Sequence, residues 1–331
     1  MKTITAKVPG VLLTVLIAIP AWLIGKAIPV IGSPVLGILF GMVLAFWNRP
    51  KLLDAGVQYT SKKLLQYSII LLGFEMNLFT VLKAGQQTLV LMAFTLTATF
   101  LAAFFVGRLL KTDSATTTLI GVGTAICGGA AIAATAPVIG ASDEDVAHAI
   151  STIFLFNVIA AFLFPVLGHA LHMSNQTFGL WAGTAINDTS SVVAAGYSFS
   201  NVAGNLAVMV KLTRTLMIIP VTLALALVVT RKPAGDGIER RYSIVKIFPW
   251  FVLGFAATSI VSTFIPLPLG VTGFLGEVGK FMIVMAMAAI GLNTHLVKLV
   301  KNGTRPILLG LICWAVLACT SLAVQYAMIR M

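Results

Sequence analysis

The sequence predicts an all-helical, polytopic membrane protein with about eleven transmembrane helices. Of its 331 residues, 59% are hydrophobic and only 10% are charged, and the mean hydropathy is +1.01. The basic residues lie in short gaps between apolar runs. This composition excludes an ordinary soluble domain. The net charge of +12 therefore indicates membrane topology rather than nucleic-acid binding.

Eleven apolar segments approach the roughly 20 residues needed to cross the hydrocarbon core. They are residues 9–27, 33–47, 64–82, 87–107, 115–140, 146–170, 176–198, 203–230, 246–265, 272–292 and 306–328. The basic residues before the first segment resemble a secretory signal, but no small-residue cleavage pattern follows, so we expect a membrane helix there. The longest gap, Arg231 to Ser243, is too short to fold alone, and we expect one membrane domain over residues 1–331.

The distribution of lysine and arginine predicts the orientation. With a cytoplasmic N-terminus, the inner side collects sixteen basic residues: Lys2, Lys7, Arg49, Lys51, Lys62, Lys63, Arg108, Lys111, Arg231, Lys232, Arg240, Arg241, Lys246, Lys298, Lys301 and Arg305. The outer side collects Lys26, Lys83 and Arg330. Because short cytoplasmic loops are enriched in lysine and arginine, this bias favours eleven spans with the N-terminus inside. The acidic run Asp143–Asp145 would then lie outside.

Two internal similarities suggest a weak repeat. Residues 64–107 resemble residues 278–328: each region has an apolar helix that ends in Gly and Asn before a short Lys-Gly connector. These helices would run in opposite directions, as in inverted-repeat transporters. A second similarity joins GTAICGGAAIAA at Gly123 to GTAINDTSSVVAA at Gly183. It would pair two helices of the same direction, and chance likeness between Gly/Ala-rich segments explains it at least as well.

The stretch Gly121–Ala141 predicts an interrupted helix. It is apolar, yet it contains the pair Gly128-Gly129 and also Pro137, which cannot donate to the helical ladder. In hydrocarbon, a broken backbone is tolerated only where protein or water satisfies its polar groups, so broken helices often mark solute sites in transporters. The alternative is that the small residues only allow tight helix packing.

Ionisable residues inside membrane segments usually mark ion or substrate pathways. Six are present: Glu75, Asp188, Lys211, Arg214, Glu277 and Lys280. Lys211 and Arg214 are three residues apart and share a helix face. Glu75 either carries a coupling proton or is the fixed partner of Lys211 or Arg214. Glu277 and Lys280, near a segment end, either form a local pair or reach for the membrane interface.

Asp188 stands in the most polar run of any segment, TAINDTSS from Thr184 to Ser191. Such a run either lines a wet cavity or forms a buried structural network, because unpaired polar groups are costly in lipid. No nucleophile with a consistent base, no phosphate-binding loop and no metal-ligand spacing is readable in the sequence. We therefore expect no enzyme activity, no cofactor and no metal site.

Three motifs together resemble the YeiH family of bacterial inner-membrane proteins, described as sulfate exporters. They are TAICGGAAIAATAPVIGASDEDVAHAI, FGLWAGTAINDTSSVVAAG and VKLTRTLMIIP. That family is similar in architecture to the sodium/proton antiporter and bile-acid symporter superfamily, whose two broken helices cross at mid-membrane. The resemblance implies a first break at Cys127–Gly129. The second break would lie either at Asn187-Asp188 or in the glycine-spaced segment Gly270–Gly279.

These observations predict a secondary transporter of a small anion that works by alternating access, and the family resemblance implies that the anion is sulfate-like or another sulfur oxyanion. The expected anion contacts are Cys127, Gly128, Gly129, Asn187, Thr189, Ser190, Lys211 and Arg214. Glu75 or Asp188 would carry a coupling proton or sodium ion, and Arg214→Ala should abolish transport in a folded protein. The alternatives are a cation/proton antiporter centred on Asp188 and a non-transporting sensor or scaffold. We expect lipid but no nucleic acid as a partner; a homodimer is possible.

Overall fold

The computed structural model describes residues 6–27, 32–46, 49–230, 250–265, 267–294 and 303–330, and within these ranges the regular structure is entirely helical. A π turn, Thr60–Leu64, joins the helices Asp54–Tyr59 and Leu65–Leu72, and a 3-10 turn, Gly73–Glu75, follows the second of them. The helices are α1 Val8–Ala27, α2 Ser33–Leu44, α3 Asp54–Tyr59, α4 Leu65–Leu72, α5 Leu78–Leu110, α6 Ser114–Ala125, α7 Gly129–Ile139, α8 Asp143–Ala170, α9 Asn175–Ala185, α10 Thr189–Phe199, α11 Asn201–Thr215, α12 Ile218–Thr230, α13 Trp250–Phe264, α14 Leu269–Asn293 and α15 Thr304–Arg330.

Six helical segments within the described ranges are long and apolar enough to cross a membrane. They are Val8–Ala27, Leu78–Leu110, Asp143–Ala170, Asn201–Leu225, Gly270–Asn293 and Thr304–Met328. Three shorter helices, α2, α7 and α13, are also apolar. The prediction of an all-helical polytopic membrane protein is therefore confirmed. Several basic residues used to predict the orientation lie outside the described residues: Lys2, Arg231, Lys232, Arg240, Arg241, Lys246, Lys298 and Lys301.

The boundary between the third and fourth predicted segments differs from the expectation. The Lys-Gly connector at residues 83–85 lies inside α5, and the chain turns earlier, at Met76 and Asn77. The Asn77 side chain accepts a hydrogen bond from the Phe79 amide at 2.9 Å, which satisfies one of the free N–H groups at the start of a helix. α5 continues through the connector without a break. It is 33 residues long and exposes apolar side chains over much of its length.

The helices form two bundles. In the first bundle, α14 packs on α1, α2 and α4, and α13 packs on α4. In the second bundle, α5–α12 and α15 pack together, with α11 against α9 and α10. The second bundle contacts the first mainly where α10 lies on α2 and α14. The site described below belongs to the second bundle and faces this seam.

Two glycines allow α2 and α14 to approach closely. A Cβ atom on Gly291 would lie 2.3 Å from the Ile38 carbonyl oxygen and 2.9 Å from the Gly41 Cα.

The segment Gly270–Gly279, considered as the site of the second break, is a continuous part of α14. Gly270 and Gly273 have no atom within 4 Å of their Cβ positions, so they face away from the bundle.

We therefore expect Gly291→Ala to destabilise the protein by about 1–3 kcal/mol, because the methyl group would push two helix backbones apart. Gly273→Ala, in the same helix, is the matched control and should be neutral or slightly stabilising, since alanine favours helix and finds open space there. Thermal unfolding in detergent measures both variants. Equal unfolding temperatures for the two would contradict the assigned close contact.

The segment Ser114–Ile139 is interrupted, as predicted, but its two halves fold back on each other. α6 ends at Ala125, and Gly128, with φ 71° and ψ −131°, starts α7. A Cβ atom on Gly123 would lie 2.9 Å from the Ile132 side chain, and Leu119 shares a hydrophobic cluster with Ala136. These contacts pair residues on opposite sides of the break. α6 and α7 are thus the first hairpin, with its tip at residues 126–128.

The segment Asn175–Phe199 forms a second hairpin in the same way. The rings of Phe178 in α9 and Phe199 in α10 stack with their centroids 4.0 Å apart. In a helix running straight on, residues with this separation would lie about 30 Å apart. The tip is at residues 186–188, which resolves the second break in favour of Asn187-Asp188. The expectation of two broken helices that continue through the membrane and cross is wrong for both segments.

Candidate functional site

The tips of the two hairpins meet around two buried basic side chains of α11. Lys211 and Arg214 are 0% exposed, and they lie on one face of α11, as their spacing predicts. A buried cation requires compensation, because removing a charge from water is costly. Neither side chain makes an ion pair among the described residues. Their hydrogen bonds instead go to backbone carbonyls at the ends of α6 and α9.

The two cations bind both hairpins in the same pattern. Arg214 donates to the carbonyl oxygens of Thr124 in the first hairpin and Thr184 in the second. Its Nε also donates to the Ala125 oxygen at 2.7 Å. The Lys211 Nζ donates to the oxygens of Ile126 and Ile186, both at 2.9 Å. The last carbonyls of a helix have no partner within it and carry partial negative charge, so these bonds cap two helix C-termini at once.

The repeated tetrapeptide GTAI explains this symmetry. Gly123–Ile126 and Gly183–Ile186 end α6 and α9 at equivalent positions, and the Trp314 indole nitrogen donates to the remaining Ala185 oxygen at 3.2 Å. Of the two explanations left open for the second sequence similarity, a shared local structure is the one that these two helix ends favour. The register also aligns Cys127 with Asn187 and Gly128 with Asp188.

The N-termini at the two tips are capped differently. Asp188 is the N-cap of α10: its carboxylate accepts from the Ser190 amide at 3.0 Å and from the Ser190 hydroxyl. The first hairpin has Gly128 at this position, and no side chain in the described part of the chain caps α7. A Cβ atom on Gly128 would lie 3.6 Å from the Asp188 Cβ, so the two N-termini are neighbours.

Two asparagines at the tips have no hydrogen-bonding partner among the described residues. Asn187 is 1% exposed and Asn157, in α8, is 2% exposed, and both amide atoms of each are unpaired. The Asn157 Nδ2 lies 3.6 Å from the Cβ position of Gly128. The sequence analysis missed Asn157. A single amide in the middle of a long apolar helix was the available signal, since polar groups in hydrocarbon need a partner.

A cavity of about 410 Å³ leads from the tips toward the end of α14. Its lining includes Asp188 and Ser190 from the second hairpin and Phe154 from α8. At the other end are Lys62, whose side chain is exposed, and Asn293. A smaller cavity of about 240 Å³ lies at the opposite end of α10, beside Lys26 and Lys280. The two cavities thus occupy the seam between the bundles on either side of α10.

Glu75 is not brought to Lys211 or Arg214, so the alternative in which it is their fixed partner is wrong. Its carboxylate pairs with the Lys280 ammonium group at 3.0 Å. Lys280 also contacts Glu277 at 3.6 Å, and Glu277 contacts Lys26 at 3.4 Å. The local pair expected for Glu277 and Lys280 is confirmed. These four residues form an alternating chain of charges in the first bundle.

The structure brings the other expected site residues together around the two tips. Cys127 and Gly128 are buried, and Gly129 is half-buried at the start of α7. Thr189 is half-buried at the start of α10, next to the buried Ser190. Arg214 and Lys211 differ from the expectation in that their described hydrogen bonds are all to backbone. An ammonium group has three donors, and two of those on Lys211 are used.

The backbone conformation of Gly128 predicts that a larger residue at this position destabilises the fold. Its positive φ is strained for any residue with a Cβ, although the nearest atom to a Cβ there is 3.4 Å away. We expect Gly128→Ala to destabilise the folded protein by about 1–3 kcal/mol through backbone strain alone. Gly129→Ala is the control, because Gly129 is helical and its nearest atom is 3.5 Å away. Equal thermal stability of the two variants would exclude the assigned turn.

Comparison with known proteins identifies relatives along the whole chain. The model of the family described as Conserved hypothetical protein 698 matches residues 9–310. A UPF0324 membrane protein of Streptococcus pyogenes serotype M3 is 47% identical over 99% of both chains. Relatives with the same description from Streptococcus mutans serotype c and Fusobacterium nucleatum are 46% and 43% identical over at least 96% of this chain. No solved structure matches the chain. The resemblance to the YeiH family is confirmed, because it is the same family.

Proposed function

The chain belongs to the UPF0324 family of membrane proteins, and we propose that it is a secondary transporter that moves a small anion by alternating access. One observation carries the proposal: among the described residues, the hairpin tips meet around two buried cations and a single carboxylate, that of Asp188. Such tips, like the discontinuous helices of known transporters, direct helix ends at a common point.

The charges at the tips favour an anion. Each tip contributes one helix C-terminus and one N-terminus, whose partial charges of about half a unit cancel. The side chains Lys211 and Arg214 add two positive charges, and Asp188 adds one negative charge. With both basic side chains protonated, the site carries about one net positive charge in a region of low dielectric constant. The exposed Lys62 at the mouth of the larger cavity would draw anions toward it.

The two cavities support alternating access. The larger one reaches the hairpin tips and the smaller one lies at the far end of α10, so a ligand at the tips faces one side of the seam. Movement of the second bundle along α2 and α14 would exchange the open side. The contacts in this seam come from few helices, which suits a sliding interface.

The hairpins also suggest a revised membrane topology. We propose that both hairpins enter the membrane and return, from opposite sides, while the other nine predicted segments cross it. Two fewer crossings leave the predicted side of every counted lysine and arginine unchanged, because the loops between residues 112 and 200 contain none. The N-terminus stays on the inside of a bacterial inner membrane, and Asp143–Asp145 moves inside.

We assign the coupling role to Asp188, which is half-buried, lines the larger cavity and lies next to the cations. A proton or a sodium ion at this carboxylate would change the charge of the site and thereby its affinity for the anion. Glu75, held by Lys280, has no role in this scheme. The proposal requires no enzyme activity and no cofactor.

A second candidate function is cation/proton antiport at Asp188. It is favoured by the oxygen-rich surroundings of this carboxylate, which include the Ser190 hydroxyl and the unpaired Asn187 carbonyl. Carboxylate, hydroxyl and amide oxygens are suitable ligands for a hard cation. The two adjacent buried cations weigh against this function, because they would repel a second positive charge.

Thermal stabilisation of the purified protein separates the two functions. Sulfate, sulfite, thiosulfate, small sulfonates, carboxylates and sodium are tested at two pH values, because a ligand that binds only the folded state raises its stability. Stabilisation by an anion supports the proposal. Stabilisation by sodium or by pH alone would favour the antiporter.

Flux into proteoliposomes then separates a transporter from a sensor or scaffold. We expect uptake of the stabilising anion to depend on an imposed pH or sodium gradient. Binding without any flux under either gradient would overturn the transport proposal.

A further inference from the structure

The two hairpin tips differ at the N-cap position, where the first hairpin has Gly128 and the second has Asp188. Asp188 supplies a carboxylate to the N-terminus of α10, whereas Gly128 supplies nothing to that of α7. The first N–H groups of a helix have no acceptor within the helix and attract negative charge. α7 has 11 residues, and its N-terminal end lies directly beside Asp188 and Asn157.

Asn157 is the independent evidence for a ligand at this end. It lies midway along the 28-residue α8 and one helical turn from Phe154. Phe154 lines the larger cavity and lies 3.5 Å from the Cβ position of Gly129. The Asn157 amide is buried against the first hairpin tip with neither its donor nor its acceptor paired among the described side chains and backbone. Such a group destabilises the fold unless something bound there satisfies it.

The chemistry of the two amides restricts that ligand. Asn157 and Asn187 each present an NH₂ donor and a carbonyl acceptor. A fully deprotonated oxyanion such as sulfate has acceptors only, and it would leave both carbonyl oxygens unpaired. A singly charged anion that retains an O–H or N–H group offers both kinds of partner. Its single negative charge also matches the net positive charge of the tips.

We propose that the anion bound at the tips is singly charged and carries a hydrogen-bond donor, and that Asn157 is a specificity-determining residue for it. The anionic oxygens would lie on the N-terminus of α7, and the donor would meet an amide carbonyl of Asn157 or Asn187. This inference rests on the proposed anion transport. It assigns hydrogencarbonate-like or hydrogensulfite-like ions, rather than sulfate, as the substrate class.

Hydrogencarbonate and nitrate test the inference directly. Both are planar ions with three oxygens and one negative charge, and only hydrogencarbonate has an O–H donor. We expect hydrogencarbonate to stabilise the purified protein with a half-saturating concentration about tenfold or more below that of nitrate, because an unmatched buried carbonyl is costly. The titrations are made at one pH and one ionic strength, in sealed samples, by thermal unfolding.

Asn157→Leu should remove most of the preference for hydrogencarbonate, and Asn157→Ala serves if the leucine variant does not fold. Asn205→Leu is the matched control: the Asn205 amide oxygen accepts from the Tyr197 hydroxyl at 2.6 Å, so it has a partner within the fold. The control should keep the preference. Equal stabilisation of the wild-type protein by both ions, or stabilisation by sulfate alone, would overturn the inference while leaving anion transport intact.

Stability without added anion provides a second readout that a merely structural asparagine would not give. We expect Asn157→Leu to unfold at the same or a higher temperature than the wild-type protein, because it removes an unpaired buried amide. Asn205→Leu should unfold at a lower temperature, since it leaves the Tyr197 hydroxyl without its acceptor. A clear loss of stability in both Asn157 variants would show that the amide is paired within the fold and would overturn its role. Absence of stabilisation by any anion would instead remove the proposed function.

Discussion

Replacing Arg214 by alanine is expected to lower the free energy of unfolding by about 3 kcal/mol or more. The substitution leaves the carbonyl oxygens of Thr124, Ala125 and Thr184 buried without their donor, and each unpaired group costs about 1–3 kcal/mol. The sequence alone predicted an inactive but folded Arg214→Ala protein. The structure changes this expectation: the Arg214 side chain holds the two hairpins together through its hydrogen bonds, so its removal should lower stability as well as transport.

Thermal or denaturant unfolding in detergent measures the effect of Arg214→Ala. Arg108→Ala is the control, since Arg108 lies at the end of α5 and its guanidinium carbon is 5.2 Å from the Phe104 ring centroid, a surface contact worth about 1 kcal/mol or less. Arg214→Lys should be intermediate, because it keeps the charge but cannot reach three carbonyls with a planar fork. The capping role would be refuted by an Arg214→Ala protein as stable as the Arg108 variant.

Replacing Lys211 by methionine is expected to weaken anion binding about a hundredfold. The variant removes one of the two buried positive charges and leaves the tips with no net charge. One unit charge at about 5 Å, in surroundings with an effective dielectric constant of about 20, is worth roughly 3 kcal/mol. The measurement is the half-saturating anion concentration in thermal stabilisation, with the exposed Lys83→Met as control.

A double variant isolates the charge from the loss of caps. Lys211→Met and Lys211→Met/Asp188→Asn leave the same carbonyls of Ile126 and Ile186 uncapped, but the double variant regains one net positive charge. We expect the double variant to bind the anion more tightly than Lys211→Met alone. Equal anion affinity in the two proteins would show that net charge does not control binding at the tips.

Local sequence features predicted much of the site. The glycines at 128 and 129 located the first interruption, because these residues cannot continue an apolar helix without cost. The polar run from Thr184 to Ser191 contains one of the two positions considered for the second interruption. The spacing of Lys211 and Arg214 placed both on one face of a helix. Each of these inferences depends on neighbours within a few residues, and the structure agrees with each.

The partners of the charged groups could not be predicted in the same way. Glu75 was as plausible a partner for Arg214 as any carbonyl, because charge complementarity alone does not specify distance. In the structure, Glu75 forms an ion pair with Lys280, and Arg214 donates hydrogen bonds to three carbonyl oxygens on the two hairpins. Asn157 was missed because its isolation in α8 becomes informative only when Gly128 is seen beside it.

The sequence by itself therefore determined an all-helical membrane protein, the position of its first break and the face that carries its buried cations. Only the tertiary structure decided that the chain reverses at each break instead of continuing across. The hydrophobic pattern of a helix is the same whether the next helix runs onward or back, since the direction depends on a few backbone torsions at the tip. Contacts between residues far apart in sequence, such as the stacked rings of Phe178 and Phe199, select the reversal.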